Sequence, residues 1–185
     1  MKHIIFTITF ILVFCFGFSQ GHQTITVNEG VATCDIIPFY ETPYVRISAD
    51  PIIQIMYNRD SISDMCGCVL RGIAFYTTTA KAQAVIDVII KETGRKKAGG
   101  MLSGGITVFR GLVNIKSGRI DIPFSKIYKY KGGNLVIKIM ITQSDRIACK
   151  GATITAKKQT FIVGPGLWDY VTFAPRTTFV YWKTE

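Results

Sequence analysis

Asn134-Leu135-Val136-Ile137-Lys138-Ile139-Met140-Ile141-Thr142 is the stretch on which the fold turns. From Leu135 to Ile141 both alternate sets of positions are apolar, Lys138 excepted, so neither face of an extended segment would meet water. Successive side chains of a strand point to opposite faces, so this pattern predicts a central strand covered on both sides. Outward from it, residues 23–28 alternate Thr24, Thr26 and Asn28 against Ile25 and Val27. Residues 51–57, 68–77, 84–92, 106–116, 119–124, 151–156, 167–173 and 177–183 are further strand candidates, rich in Ile, Val, Phe and Tyr. Gly, Pro, Asn, Asp and Ser lie between most of them, as turns require. Residues 80–92 could pass for a helix, but Val85, Ile86, Val88, Ile89 and Ile90 are β-branched and favour a strand. Some ten short strands at this spacing predict an all-β single domain, a β-sandwich or jelly roll.

The chain opens with Met1, Lys2 and His3, then an apolar run over 4–18, with Gly17 and Ser19 at −3 and −1 of a cut before Gln20. A basic start, an apolar core and small residues at the cut are the parts of a secretory signal peptide. The run is shorter than the roughly 20 residues that cross a bilayer, so no transmembrane span is expected in the mature chain. Removal of residues 1–19 leaves residues 20–185 as one domain, secreted or at the cell surface, with the periplasm as the alternative. The whole chain carries +10, and Lys2 is the only charged residue of the leader. A basic domain can bind nucleic acid, sulfated sugars or anionic surfaces. For an exported chain we take the charge as a solubility feature and expect no nucleic-acid partner.

Cys34, Cys66, Cys68 and Cys149 remain after the leader. An even number in an exported protein predicts disulfides. Cys66-Gly67-Cys68 is too short for a relaxed mutual bridge, so pairing is expected to reach outward to Cys34 and Cys149. Zinc is the rival reading, against which C-x-C is not the usual ligand spacing.

After the leader His22 is the one histidine, close to the expected new terminus, so Ser–His–Asp, Cys–His and His-ligated metal catalysis are not expected. Asp60, Asp64, Asp87, Glu92, Asp121 and Asp145 show no spacing that selects a catalytic pair. Residues 93–105 read as a mobile, hydrated glycine-rich loop carrying Arg95, Lys96 and Lys97. Asn58, Asp60 and Asp64 crowd oxygen ligands into one turn, where calcium is the candidate ion and an ordinary acidic turn the alternative; no other cofactor is expected. Among the aromatic residues, Tyr40, Tyr44 and Trp168 read as loop-borne. Tyr40, Glu41, Tyr44, Arg95, Lys96, Lys97, Trp168 and Asp169 therefore form the expected ligand-binding set, since loops at the ends of a sandwich usually carry function.

The order of motifs resembles the jelly-roll "cleaved adhesin" modules found beside gingipain-type cysteine proteases of Gram-negative anaerobes. Its pieces are Pro38-Phe39-Tyr40, Ile53-Gln54-Ile55-Met56-Tyr57, Cys68-Val69-Leu70-Arg71-Gly72-Ile73-Ala74-Phe75-Tyr76, residues 86–92, Val108-Phe109-Arg110-Gly111, Ile120-Asp121-Ile122-Pro123-Phe124, Tyr128-Lys129-Tyr130-Lys131-Gly132-Gly133-Asn134-Leu135 and Ala174-Pro175-Arg176-Thr177-Thr178-Phe179. The chain departs from those modules in having fewer acids and in having Cys66 and Cys68. The resemblance implies an exported, non-catalytic binding module recognising a protein or glycan at a cell surface. A structural or accessory subunit of an envelope assembly is the alternative, and a small secreted hydrolase or hydrolase inhibitor the second.

Overall fold

The computed structural model describes residues 21–35, 37–39, 51–97, 100–116, 118–154, 160–164 and 167–183, with 116, 161–164 and 167–170 described as backbone. The leader 1–19 and the candidates Tyr40, Glu41 and Tyr44 lie outside them. The described strands are β1 (Gln23–Val27), β2 (Ala32–Cys34), β3 (Ile52–Tyr57), β4 (Val69–Tyr76), β5 (Lys81–Thr93), β6 (Ile106–Lys116) and β7 (Arg119–Lys129). They continue with β8 (Asn134–Ser144), β9 (Cys149–Thr153), β10 (Thr160–Gly164), β11 (Leu167–Val171), β12 (Phe173–Pro175) and β13 (Thr177–Trp182). Hydrogen bonds join ten of them in the order β1-β13-β4-β7-β6-β5-β8-β3-β10-β11, and β12-β9-β2 form a separate small sheet.

The ten-stranded ribbon is folded over on itself. In the strand order five strands separate β3 from β13, which in a flat sheet would be about 29 Å at the usual spacing. Yet Tyr57 of β3 packs edge-on against Phe179 of β13 with ring centroids 5.0 Å apart. Its hydroxyl lies 2.8 Å from Thr177 Oγ1. The crease is the β6–β7 hairpin, whose registered pairing is Lys116 with Arg119 beside the turn. One layer is therefore β1-β13-β4-β7, and the other β6-β5-β8-β3-β10-β11. Of the eight strands shared by these layers, β1, β4, β7 and β13 alternate along the chain with β3, β5–β6 and β8. That winding is the jelly roll expected of the sequence.

The core follows from period-two alternation. Ala82, Ala84, Ile86, Val88 and Ile90 of β5 and Ile120, Ile122 and Phe124 of β7 point inward. Leu135, Ile137, Ile139 and Ile141 of β8 do the same, all 0% exposed. The other face of β8 is covered as well, by the glycine-rich segment. Leu102 packs on Met56 and Val136. Gln54 donates to Gly100 O at 3.0 Å and accepts from the Leu102 N–H at 2.8 Å. Lys138 Nζ donates to Leu102 O at 3.0 Å and to Gly104 O, and Lys91 Nζ reaches Ser103 O at 2.7 Å. Residues 100–105 are thus a strap laid across the sheet. This corrects the expectation of a hydrated loop. Buried Gln54 and Lys138 need polar partners, and the strap's backbone supplies them.

Three strands were not expected from the sequence. β2 and β12 are three residues long, too short to show a period, and β10 is a short run ended by Gly164. β7 also runs on to Lys129, past the expected end at Phe124. Its turn into β8 shows why the Tyr-x-Tyr-x-Gly-Gly-Asn motif is there. Gly132 has φ +96°, which L side chains rarely adopt, and a Cβ there would lie 2.8 Å from Cys66 Sγ. Glu92 clamps the turn, accepting from Tyr128 Oη (3.2 Å), Lys131 N (3.0 Å) and Gly133 N (2.9 Å).

Candidate functional site

The outer face of the β1-β13-β4-β7 layer gathers side chains that the sequence scatters. Register sets them in rows. Thr26, Thr178, Ala74 and Asp121 lie side by side, and next to them Thr24, Val180, Gly72 and Pro123. The middle of the face is a row of small residues, Gly72, Ala74 and Thr178, which are themselves buried beneath the flanking longer side chains. At Gly72 a Cβ would stand 2.9 Å from Ile122 O, so bare backbone is required there. Hydroxyls line one side: Thr178 Oγ1 lies 2.7 Å from Thr26 Oγ1 and 2.9 Å from Tyr76 Oη.

Each end of this row is a ring carrying a guanidinium. At one end Arg71 Cζ sits 4.4 Å from the Trp182 ring centroid. Against β13, Arg71 is the extra residue of a bulge between Leu70 and Gly72; against β7 the same step passes over residues 124–127. The bulge resets the alternation, so Leu70 and Ile73 both point into the core while Arg71 stays outside. Trp182 Nε1 donates to His22 Nδ1 at 2.6 Å, with the rings 5.0 Å apart. His22 is therefore fixed at the entry to β1, not frayed as its position in the sequence suggests. At the other end the Tyr76 ring carries Arg176 Cζ at 4.3 Å and Arg119 Cζ at 5.7 Å. Arg176 also reaches Glu29 Oε1 at 3.2 Å, and Arg119 Nε reaches Asp121 Oδ1 at 2.8 Å. Arg71 and Tyr76 are five positions apart on β4, about 17 Å at the rise of a strand. A guanidinium over a ring can still offer N–H donors to planar oxyanions, which Arg recognises by paired hydrogen bonds, with one donor each of Arg176 and Arg119 already given to Glu29 and Asp121.

The expected site residues fall elsewhere. Arg95, Lys96 and Lys97 are exposed after β5. They meet the Asn58–Asp64 turn through Asn134, whose Oδ1 accepts from Arg59 N (2.8 Å) and whose Nδ2 donates to Arg95 O (2.8 Å). The turn itself is two short 3₁₀ segments, Arg59–Ser61 and Ser63–Met65. Asn58 Oδ1 caps the Asp60 N–H at 3.2 Å, and Asp60 lies 3.5 Å from Arg59 Nε. Among the described residues no three His, Cys, Asp or Glu side chains gather as a metal site. Trp168 and Asp169 lie on β11 opposite Val163 and Ile162, on the strand expected within 167–173, which corrects the reading of Trp168 as loop-borne.

The cysteines also correct their expectation: Cys34, Cys66, Cys68 and Cys149 are free thiols in this structure. Cys66 and Cys68 stand just before β4, whereas Cys149 is bridged to Thr77 just after it. Nine residues of extended chain separate Cys68 from Thr77, about 30 Å, so the outward pairing to Cys149 has no path.

Sequence reasoning missed Arg71, Tyr76, Arg119, Arg176 and Trp182 as a group. One signal was present for Trp182. With Thr177, Phe179 and Tyr181 on one parity, residue 182 falls on the opposite face. A scan of protein-family models and of curated proteins found no match to the chain.

Proposed function

We propose that the chain is an exported, non-catalytic binding module that engages a protein or glycan at a cell surface through the outer face of the β1-β13-β4-β7 layer. The observation that carries this reading is the pair of rings, Trp182 and Tyr76, that hold three guanidinium groups on either side of a row of small residues. Two rings immobilise three arginines in advance, which lowers the ordering cost of binding an acidic partner. Export is supported by the leader's sequence pattern. The loop end with Arg95, Lys96 and Lys97 is the rival location for the same function.

A structural-subunit reading draws on a different surface. Ile106 and Leu112 of β6 and Ile127 of β7 are 49%, 52% and 67% exposed. They lie on the crease strands, where apolar contact with a neighbouring subunit would fit.

A glycan array that includes sulfated, uronate-bearing and neutral sugars, followed by pull-down from native envelope, identifies the ligand. Against it, Arg71→Ala/Arg119→Ala is expected to weaken binding about tenfold or more, the loss of one to two charge-assisted contacts. Arg95→Ala/Lys96→Ala/Lys97→Ala is expected to bind as wild type, with both variants melting like the parent. The reverse pattern moves the site to the loop end. Wild-type binding by both variants rejects both locations, and the absence of any ligand from array and pull-down overturns the binding-module reading in favour of a subunit contact through the crease.

A further inference from the structure

We propose that, of the four cysteines among the described residues, Cys34 and Cys149 are the pair that oxidises, closing to a cross-strand disulfide while Cys66 and Cys68 remain thiols. The argument is geometric. β2 and β9 run antiparallel with Ala32 opposite Gly151, Thr33 opposite Lys150 and Cys34 opposite Cys149. Directly opposed residues of such a pair have Cβ atoms roughly 4.5–5.5 Å apart. A disulfide needs about 3.5–4.5 Å, so closure takes rotation about χ1 and a small approach of two short strands. The register is braced on both sides. Asp35, next to Cys34, accepts from Arg146 Nε at 2.9 Å, and Thr77 Oγ1 donates to Ala148 O at 2.6 Å.

Pairings of Cys66 or Cys68 with Cys34 or Cys149 fail on distance. Cys66 and Cys68 lie at the opposite end of β4 from Cys149, and Cys149 holds Cys34 beside it. Cys66 and Cys68 are separated by one glycine, and Cys68 Sγ points at Asp64 O and Cys66 O, at 3.8 and 3.9 Å.

Burial orders the chemistry. Cys149 is 0% exposed and Cys34 is half-buried. Desolvation, with the neighbouring Cys34 sulfur adding repulsion, pushes the Cys149 thiol well above its ordinary value. Cys34 is therefore the entry point. Its thiolate attacks one sulfur of an external disulfide, a small-molecule or protein disulfide, and expels one thiolate to leave a mixed disulfide. Cys149 attacks the Cys34 sulfur and expels the second thiolate, which takes up the Cys149 proton. Two protein thiols are oxidised and one external disulfide is reduced to two thiols. The bridge spans more than 100 residues of chain, and covalent closure of so long a loop restricts the unfolded state.

The test is to equilibrate the full chain with glutathione disulfide, alkylate remaining thiols in acid denaturant, and map labelled and bridged peptides by mass spectrometry. The expected result is a Cys34–Cys149 crosslinked peptide with label on Cys66 and Cys68. Label on all four residues, or any bridge that includes Cys66 or Cys68, overturns the proposal. A second measurement compares melting points. Reduction of the wild type should lower it by about 10 °C, the scale for a long-loop bridge in a domain of this size. The variant Cys66→Ser/Cys68→Ser should show the same drop, and Cys34→Ala/Cys149→Ala none. A drop that disappears with the Cys66/Cys68 variant also overturns it.

Discussion

Glu92 shows how much one side chain organises. Its carboxylate accepts from the Tyr128 hydroxyl and from the amides of Lys131 and Gly133, so three donors at the β7–β8 turn depend on it. Tyr130 completes the turn by donating to Gly133 O at 2.6 Å. Removing an acceptor leaves its donors unmatched, which costs more than the bond itself contributes. Glu92→Ala is therefore expected to destabilise the fold by about 1–3 kcal/mol, read as a lower urea midpoint with an unchanged slope. An unchanged midpoint means that water replaces the carboxylate without loss. In the sequence Glu92 was one carboxylate among six with no selected partner. Its clamp lies 36 to 41 residues away along the chain, and that separation leaves no periodic trace.

At the scale of elements, the strap over residues 100–105 is the clearest gain over the sequence. Lys138 interrupts the apolar run of β8, and Gln54 sits in the equally apolar β3. Both are at most 7% exposed and both bond to the strap's backbone. The strap in turn buries Leu102 against Met56 and Val136, a contact of the order of 1.5–3 kcal/mol per large side chain. Gln54→Ala removes the acceptor for the Leu102 N–H. Hydrogen exchange at that amide is expected to quicken about tenfold or more, while amides in the centre of β8 keep their protection. Equal acceleration in β8 would show that the strap and the sheet open together. Composition alone suggested mobility, because Gly, Ser and Lys are what an unattached loop also contains. Only the register of β3 beside β8, Gln54 opposite Lys138, aims two polar side chains at one segment.

For the whole molecule, the tyrosines set the alkaline limit of stability. Tyr57 is 3% exposed, and burial pushes its hydroxyl far up, against the lesser effect of its bond to Thr177. Burial, then the charge of Glu92, raises Tyr128 likewise, and burial pushes Tyr130 up to about 12. Unfolded tyrosines titrate near 10. Groups raised in the folded state favour it fully below that value, and the contribution is lost as pH rises through the folded values. Stability is thus expected to be flat with respect to these groups below about pH 10 and to fall above it. Tyrosinate absorbance and circular dichroism followed together should change in one step. Ionisation of all eight tyrosines with the β signal intact would refute this coupling. Tyr57 bonds across the layers to Thr177 and packs on Phe179, so its ionisation is expected to accompany their separation.

The sequence by itself determined the class of fold and the identity of its central strand. It did so because alternation and turn residues are local properties, written within a few positions of each other. It also determined that His22 stands alone after the leader and that the chain carries excess positive charge. Tertiary structure alone decided which residues meet. Period two says that Trp182 and Phe179 face opposite ways, but not that a bulge at Arg71 lays a guanidinium on that ring. Likewise four cysteines in the sequence allow three complete pairings, and the β2–β9 register places Cys34 against Cys149. Partner choice among strands is set by non-local hydrogen bonding and by the burial of two sheets against each other, forces that act only once the chain has folded over.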